Sequence, residues 1–471
     1  MLNKRYIKPI ILCLGYLLTI SCEDFVDLEP PNYKMVTETV FENDETAMAA
    51  ITGIYNELFS SASFSNGYIS SVTILAGMSS DIFETTSATD TRYGPFQQNQ
   101  ISPRGTPDAS ANYELWSSAY NIIYMANSVL EGLSNSDQLS EETLTIAEGQ
   151  ARFIRAFTYF YLVNLYGDVP LVLTTDYSKN AVAPKDSAAK VHEQISTDLD
   201  LAISLLEEVG EYESSERTNI NRFVVMALRA RIYLYQQNWE KAEEWSSKVI
   251  DQASIYEILQ DLDEVFLKNS REAIWQISPV PVGRRQTTYT REGYFFRGIN
   301  SSRVVLSNDF VATISPEDKR LAHWVGYNSS REFYFPQKYK DGSSSGNITE
   351  YSMVLRLAEQ YLIRAEARAM QGNLPGAISD LDKLRNRANL ELIANTLPGI
   401  SQEDLLEEIM EERKRELFSE WGHRWLDLKR LQKTAEVLKP IKPLWQDTDI
   451  FYPIPEEERA KNPNIEQNEG Y

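Results

Sequence analysis

The sequence predicts a mainly α-helical fold with large irregular loop insertions and a few short strands. Apolar residues recur every three or four positions through much of the chain, as in residues 41–59, 112–133 and 189–208, and this period is typical of helices that bury one face. Residues 253–350 instead are rich in Gly, Ser, Arg and aromatic residues, and residues 60–111 form a second irregular region. Long loops on a rigid scaffold commonly carry binding groups.

Local signals place the ends of individual helices. Ser140-Glu141-Glu142 is a favourable helix start, because acidic side chains in the first turn complement the helix dipole. The helical pattern then continues to Tyr166 and ends at Gly167-Asp168-Val169-Pro170. Ser401-Gln402-Glu403-Asp404 resembles a capping box and predicts a charged helix that runs to about Leu431.

Two pairs of alanines predict the architecture of the scaffold. Ala230 and Ala242 are twelve residues apart across a predicted turn, and so are Ala365 and Ala377. Small residues at this spacing let two antiparallel helices approach closely, as in tetratricopeptide repeats. We therefore expect a tetratricopeptide-like helical-repeat scaffold, an α–α superhelix, with a large insertion between the two pairs. Within the insertion, residues 273–277 read as a short strand.

The N-terminus predicts export and lipidation. A basic start precedes an apolar block at residues 9–21, which is too short to span a bilayer. The block ends in Thr19-Ile20-Ser21-Cys22, which resembles a bacterial lipobox. We therefore expect residues 1–21 to be a signal peptide, Cys22 to carry a lipid as the first mature residue, and residues 22–40 to form an extended tether.

Cysteine usage and charge exclude several classes of protein. Cys13 would leave with the signal peptide, so Cys22 would be the one cysteine of the mature chain, without a disulfide or a Cys-rich metal site. The formal net charge is −22, and such a surface repels nucleic acid phosphates. We expect no nucleic acid partner and no later membrane-spanning segment.

The sequence predicts no catalytic residues, no metal site and no cofactor. Its histidines, His192, His323 and His423, are scattered and lack the spacing of zinc ligands. Gly342-Ser343-Ser344-Ser345-Gly346 matches a nucleophile-elbow pattern, but its flanks favour a turn.

Carboxylates leave a hydrolase open as an alternative. The acids that could supply the carboxylate pair of a glycan hydrolase are Glu411, Glu412, Glu416, Glu420 and Asp427, and Glu416 and Asp427 are the two to substitute in a test. They alternate with basic residues at helical spacing, which favours a structural role. A hydrolase predicts that substitution of either acid abolishes turnover without unfolding the protein.

Aromatic residues in the irregular regions predict a binding site. A flat ring covers the apolar face of a sugar, while acidic, amide and guanidinium groups bond to its hydroxyls. On these grounds the candidate ligand-binding residues are Asp81, Arg92, Tyr93, Asn99, Tyr289, Tyr294 and Trp324.

Several blocks together resemble the SusD/RagB family of outer-membrane nutrient-binding lipoproteins. They extend from Trp116 to Asn127, from Ala151 to Leu171, from Ala227 to Ala242, from Leu355 to Ala367, from Glu412 to Leu417, from Arg424 to Arg430, and from Tyr452 to Tyr471. Their order and coverage make the resemblance specific. It implies one domain at residues 41–471, made of a helical part (41–252), a loop-rich insertion (253–350) and a C-terminal part (351–471).

The resemblance also implies a function and a partner. Family members bind oligosaccharides, and some branches bind peptides. They deliver these ligands to a SusC-like TonB-dependent outer-membrane transporter, which they cover as a lid. We therefore expect a lipid-anchored outer-membrane protein that faces the extracellular side and is not an enzyme. The alternatives are a surface glycan hydrolase, a peptide-binding RagB-like protein, and a purely structural or assembly scaffold that binds its partner but no saccharide or peptide.

Overall fold

The structure is a computed structural model that describes residues 40–60, 63–210, 212, 215–281, 287–344 and 346–471. The predicted signal peptide, Cys22 and almost all of the predicted tether lie outside these residues. The helices are α1 Asp44–Ser60, α2 Val72–Ser79, α3 Gly94–Gln98, α4 Pro107–Ser134, α5 Glu141–Tyr166, α6 Tyr177–Asn180, α7 Ala188–Leu205, α8 Arg222–Tyr235, α9 Trp239–Ile250, α10 Arg291–Phe295, α11 Asn308–Ala312, α12 Lys319–Trp324, α13 Leu357–Met370, α14 Leu374–Arg387, α15 Ile393–Thr396, α16 Gln402–Leu417, α17 His423–Arg430, α18 Thr434–Leu438 and α19 Glu456–Lys461. The strands are β1 Phe83–Thr85, β2 Ala273–Ile277, β3 Val304–Leu306, β4 Val325–Asn328, β5 Phe333–Pro336 and β6 Ser352–Arg356.

Polar side chains fix the helix ends. The hydroxyl of Ser140 accepts a hydrogen bond from the backbone N–H of Thr143 and caps α5, as the sequence predicted. Gly167, with φ of +74°, ends the same helix. Ser401 caps α16 in the same way by accepting from the N–H of Asp404. The mainly helical fold class and these helix starts are confirmed.

The two alanine pairs lie in two helix hairpins of the same design. Ala230 and Ala242 are fully buried between α8 and α9, and Ala365 and Ala377 between α13 and α14. The hairpins are far apart in sequence, yet α9 packs against α13 in a shared cluster that includes Ile363. The hairpins therefore stack on one another, and the insertion between them leaves this packing intact.

The strands form two small antiparallel sheets. Strand β2, which the sequence predicted, pairs with β6, and Ala273 lies opposite Arg356. The second sheet has the order β1-β3-β5-β4 and joins the two irregular regions, because Phe83 of β1 lies opposite Leu306 of β3.

Buried ion pairs connect the insertion and strand β6 to the C-terminal helices. Arg320 Nη1 lies 2.6 Å from Glu412 Oε1, and Arg356 Nη1 lies 2.6 Å from Glu416 Oε1. All four side chains are buried. Arg387 completes this network by contacting Glu416 as well. Charges that are removed from water need such partners, because an unpaired buried charge costs several kcal/mol.

The prediction of one charged helix from Ser401 to about Leu431 is wrong in one respect. It ends at Leu417, and α17 begins only at His423. Between them Trp421 enters the core with φ of +45°, and its indole N–H donates to the backbone O of Met353 at 2.9 Å. The tertiary contact of this aromatic ring outweighs the local helical spacing of the charges. Likewise, the second helix pair begins only at Leu357, because residues 352–356 form strand β6.

None of the helices in the described residues combines the length and the apolar character that a bilayer span requires.

Candidate functional site

The predicted site residues separate into two groups. Tyr93, Tyr289 and Tyr294 belong to one aromatic cluster, and Arg92 lies beside the Tyr93 side chain. Asn99 and Trp324 lie in the interior at other places, and Asp81 is partly buried away from the cluster. The structure thus brings together part of the predicted set and assigns the rest to packing.

Trp324 is a core side chain with no exposed surface. Its indole N–H donates to the backbone O of Leu262 at 3.0 Å, and the Lys338 ammonium lies 4.7 Å from the ring centroid. A ligand cannot reach this ring without opening the fold, so the expectation that Trp324 contacts a ligand is replaced by a structural role.

Asp81 and Asn99 are also structural. Arg424 donates to both carboxylate oxygens of Asp81, at 2.8 and 2.9 Å, and Lys414 lies 3.2 Å from Oδ2. Burial alone would raise the pKa of Asp81, but these two cations lower it to about 2. The Asn99 side-chain oxygen accepts from the Lys442 ammonium at 2.6 Å. Both side chains therefore tie the first irregular region to the C-terminal part.

The cluster that remains is built from four half-buried rings, which we name the aromatic platform: Tyr68, Tyr289, Tyr294 and Phe295. The rings of Tyr289 and Tyr294 stack with centroids 5.2 Å apart and planes 20° apart. Tyr68 meets Tyr294 and Phe295 edge-on, with centroid distances of 5.8 and 5.9 Å. The ring of buried Tyr93 packs edge-on against that of Phe295, with centroids 6.1 Å apart.

Guanidinium groups surround the platform. Arg297 lies 4.0 Å from the Tyr294 ring centroid, and Arg291 lies 5.7 Å from that of Tyr68. Arg92 lies beside Tyr93, which packs under the platform, and its Nη2 donates to Glu114 at 2.6 Å. Cations over aromatic faces are attracted by the ring quadrupole. The rings and donors are thus fixed relative to each other before a ligand arrives.

Turn residues explain why the platform forms here. Asn66 accepts a hydrogen bond from the N–H of Tyr68 through its side chain, and Gly67 adopts φ of +69°, which favours glycine. On the other side Thr290 caps α10 by accepting from the N–H of Gly293 at 3.0 Å. These two turns present Tyr68 and the rings around α10 to one another.

Tyr68 was not among the ligand-binding residues predicted from the sequence. Its signal was the Ser65-Asn66-Gly67 turn directly before an aromatic residue. The candidates came from a later stretch of the same irregular region, because only the tertiary fold brings this turn to α10.

A second aromatic surface lies on the hairpin of β4 and β5. The rings of Tyr327 and Tyr334 are 4.8 Å apart, and Tyr327 is 52% exposed. The side-chain amide of Asn328 donates to the backbone O of Gly298 at 2.7 Å. Because Gly298 follows Arg297, this bond connects the hairpin directly to the edge of the platform.

The acids of the hydrolase alternative are engaged in ion pairs. Asp427 lies 2.8 Å from Arg413 and 2.7 Å from Arg430, and Glu416 is fully enclosed by arginines. Burial would raise the pKa of Glu416, but the arginines hold it well below its usual range. Neither acid is placed to donate a proton to a sugar at the surface.

One group of possible metal ligands exists among the described residues: Asp261, Asp263 and His323. The Lys340 ammonium already lies 3.1 Å from Asp263 Oδ1 and supplies a positive charge there. The other two histidines are separate, and burial lowers the pKa of each.

This chain is similar to two protein family models and to known proteins of the same type. A family model described as "SusD family" matches residues 283–471, and one described as "Starch-binding associating with outer membrane" matches residues 24–234. The SusD-like protein P25 of Formosa agariphila is 24% identical, over 96% of this chain and 97% of that protein.

Solved structures share the fold. A SusD superfamily protein from Bacteroides vulgatus matches with a TM-score of 0.78 at 20% identity, covering 92% of this chain and all of that one. A laminarin-binding SusD-like protein matches with a TM-score of 0.73 at 23% identity, covering 91% of this chain and all of that one. The two family models together match residues 24–234 and 283–471, which is most of the chain. This chain therefore belongs to the SusD/RagB family.

Proposed function

We propose that this protein captures an oligosaccharide at the outer membrane and delivers it to a SusC-like TonB-dependent transporter, without covalent chemistry. The observation that carries the proposal is the aromatic platform, where half-exposed tyrosine rings lie beside fixed guanidinium donors. This combination suits a sugar, since each ring of a glycan has an apolar face and a polar rim.

Two further observations support a glycan as the ligand. The family model that matches residues 24–234 is described as starch-binding, and one protein of similar fold binds laminarin. The pair of exposed Tyr327 and half-buried Tyr334 is connected to the edge of the platform through Asn328 and Gly298. An oligomer is therefore favoured over a single sugar, because successive units could use both surfaces.

The description of the same family model supports outer-membrane association. Lipidation of Cys22 and orientation toward the extracellular side are part of this proposal.

The first test is calorimetric titration of the unlipidated chain from Glu23 onward. The panel contains maltooligosaccharides, laminarin oligosaccharides, acidic glycans and peptides, and chromatography checks each glycan for cleavage. We expect saturable binding of one glycan class without product. Binding of peptides alone would replace the glycan with a peptide ligand, and cleavage would favour the hydrolase.

The platform is tested by Tyr289→Ala. Tyr289 is half-buried and stacks on Tyr294, so the alanine substitution removes one ring from the platform. Loss of a stacking contact worth about 0.5–1.5 kcal/mol should weaken binding about two- to tenfold with little change in Tm. The matched control is Tyr177→Ala, because Tyr177 is 83% exposed on α6. Equal affinity of both variants would move the site away from the platform.

A further inference from the structure

A buried carboxyl lies at the junction between the two segments that carry the aromatic platform. Glu292 belongs to α10, between Arg291 and the platform rings of Tyr294 and Phe295. Its side chain packs on Gly67, which directly precedes Tyr68. A Cβ at Gly67 would lie 2.1 Å from the Glu292 carboxyl carbon, so the two segments touch here without spare room.

This carboxyl has one hydrogen-bond partner. The hydroxyl of Ser352 on β6 donates to Oε1 of Glu292. Oε2 has no hydrogen-bond partner within the described part of the chain, and no arginine or lysine there forms an ion pair with Glu292. A buried carboxylate without a cation is costly, whereas the neutral acid is not.

Within the part of the chain that the structure describes, the charged groups around Glu292 do not offset a negative charge. From its own helix, the Arg291 guanidinium lies over the rings of Phe59 and Tyr68. The acids that face Glu292 are Glu350 and Glu420, and Tyr339 also lies close. The cations beyond them are engaged elsewhere: Lys338 and Arg356 bond to Glu420, and Lys340 lies against Asp263.

We propose that Glu292 is a positioning residue of the glycan site, which holds the two segments of the platform together as a neutral acid and releases them when it ionises. The inference rests on the proposed function, because it describes regulation of that site. It makes ligand capture dependent on pH through a group that does not touch the ligand.

The pKa of Glu292 supports this reading. Burial is the largest cause that raises this pKa, and the charges of Glu350 and Glu420 raise it further. The hydrogen bond from the Ser352 hydroxyl lowers it, and the pKa is about 7. The folded protein thus holds this proton more tightly than the unfolded chain, whose carboxyl has its ordinary pKa near 4.5. Glu292 therefore contributes stability below about pH 4.5, and this contribution is lost as the pH rises toward 7.

The test measures glycan affinity and Tm of the unlipidated chain between pH 5 and pH 8.5. If only the neutral form binds, wild-type affinity should fall about tenfold from pH 6 to pH 8. Glu292→Gln mimics the neutral acid, so it should bind like the wild type at pH 6 and keep that affinity at pH 8. The matched control Glu45→Gln removes an exposed carboxyl of α1 and should retain the wild-type pH profile.

A second variant keeps the Glu292 carboxyl and changes its pKa. Ser352→Ala removes the hydroxyl that lowers the pKa, so the midpoint of the affinity profile should shift to higher pH. A wild-type profile in Glu292→Gln, or an unshifted midpoint in Ser352→Ala, would overturn the inference. Failure of the proposed function would give a different result, because no glycan would bind at any pH. The Tm of Glu292→Gln would still depend less on pH than the Tm of the wild type.

Discussion

At the scale of single residues, burial decides which aromatic and charged side chains are available to a ligand. Trp324 and Tyr289 are both aromatic residues in the same insertion, and their sequence surroundings do not distinguish them. The structure places Trp324 in the core and Tyr289 half-exposed. A buried ring contributes packing energy, whereas a ring with an open face can stack on a sugar.

Asp81 gives a pH-dependent prediction at this scale. Because Arg424 and Lys414 lower its pKa to about 2 from the ordinary 3.8, the carboxylate contributes stability above about pH 4. This contribution disappears as the pH falls toward 2. Asp81→Asn should therefore lower the free energy of unfolding at pH 7 by about 2–3 kcal/mol, and the difference should narrow between pH 4 and pH 2.

Urea unfolding across this pH range measures the difference. Asp137→Asn is the control, because Asp137 is an exposed acid and should change stability by less than about 0.5 kcal/mol. A gap between wild type and Asp81→Asn that stays constant down to pH 2 would exclude the ion pair as its cause.

At the scale of elements, the break between α16 and α17 depends on backbone conformations that glycine favours. Gly422 has φ of +67°, and a Cβ there would lie 2.5 Å from the Cβ of Ala76 on α2. The break therefore serves two purposes: it turns the chain and lets α17 approach α2 closely. An alanine would cause both backbone strain and a steric clash.

Three glycine-to-alanine variants separate these effects. Gly399 has open space and no positive φ, so Gly399→Ala should be neutral or slightly stabilising. Gly372 has φ of +81° and open space, so Gly372→Ala should cost about 1 kcal/mol from strain alone. Gly422→Ala should cost more than either, and thermal unfolding should rank the three in this order. Equal Tm values for the last two would show that the contact with Ala76 relaxes freely.

Element boundaries were predictable where local chemistry sets them. Ser140 and Gly167 delimit α5 as expected, because a cap and a positive φ act within a few residues. The turn at Trp421 was not predictable, since its cause is a contact with Met353, 68 residues away in sequence. The site follows the same rule: residue types pointed to Tyr289 and Tyr294, but only the folded chain brings Tyr68 to them.

At the scale of the whole molecule, long-range ion pairs join segments that are distant in sequence. Arg231 of α8 bonds to both carboxylate oxygens of Glu359 on α13 at 2.6 Å, in a fully buried environment. The loops that carry the platform therefore project from one connected scaffold. This rigidity favours binding, because fewer degrees of freedom are lost when a ligand is captured.

The proposed location of the whole molecule depends on one atom, the Cys22 sulfur. Cys22→Ala should abolish incorporation of an alkyne-labelled fatty acid and move the protein from the detergent phase to the aqueous phase in phase partitioning. Cys13→Ala is the matched control, because Cys13 lies in the predicted signal peptide and should leave labelling unchanged. Fatty-acid labelling detects the lipid itself. The result therefore stays clear even when a transporter holds the unlipidated variant at the membrane. A labelled Cys22→Ala variant would place the anchor elsewhere, whereas an unlabelled wild type would mean that the outer-membrane association must come from protein contacts alone.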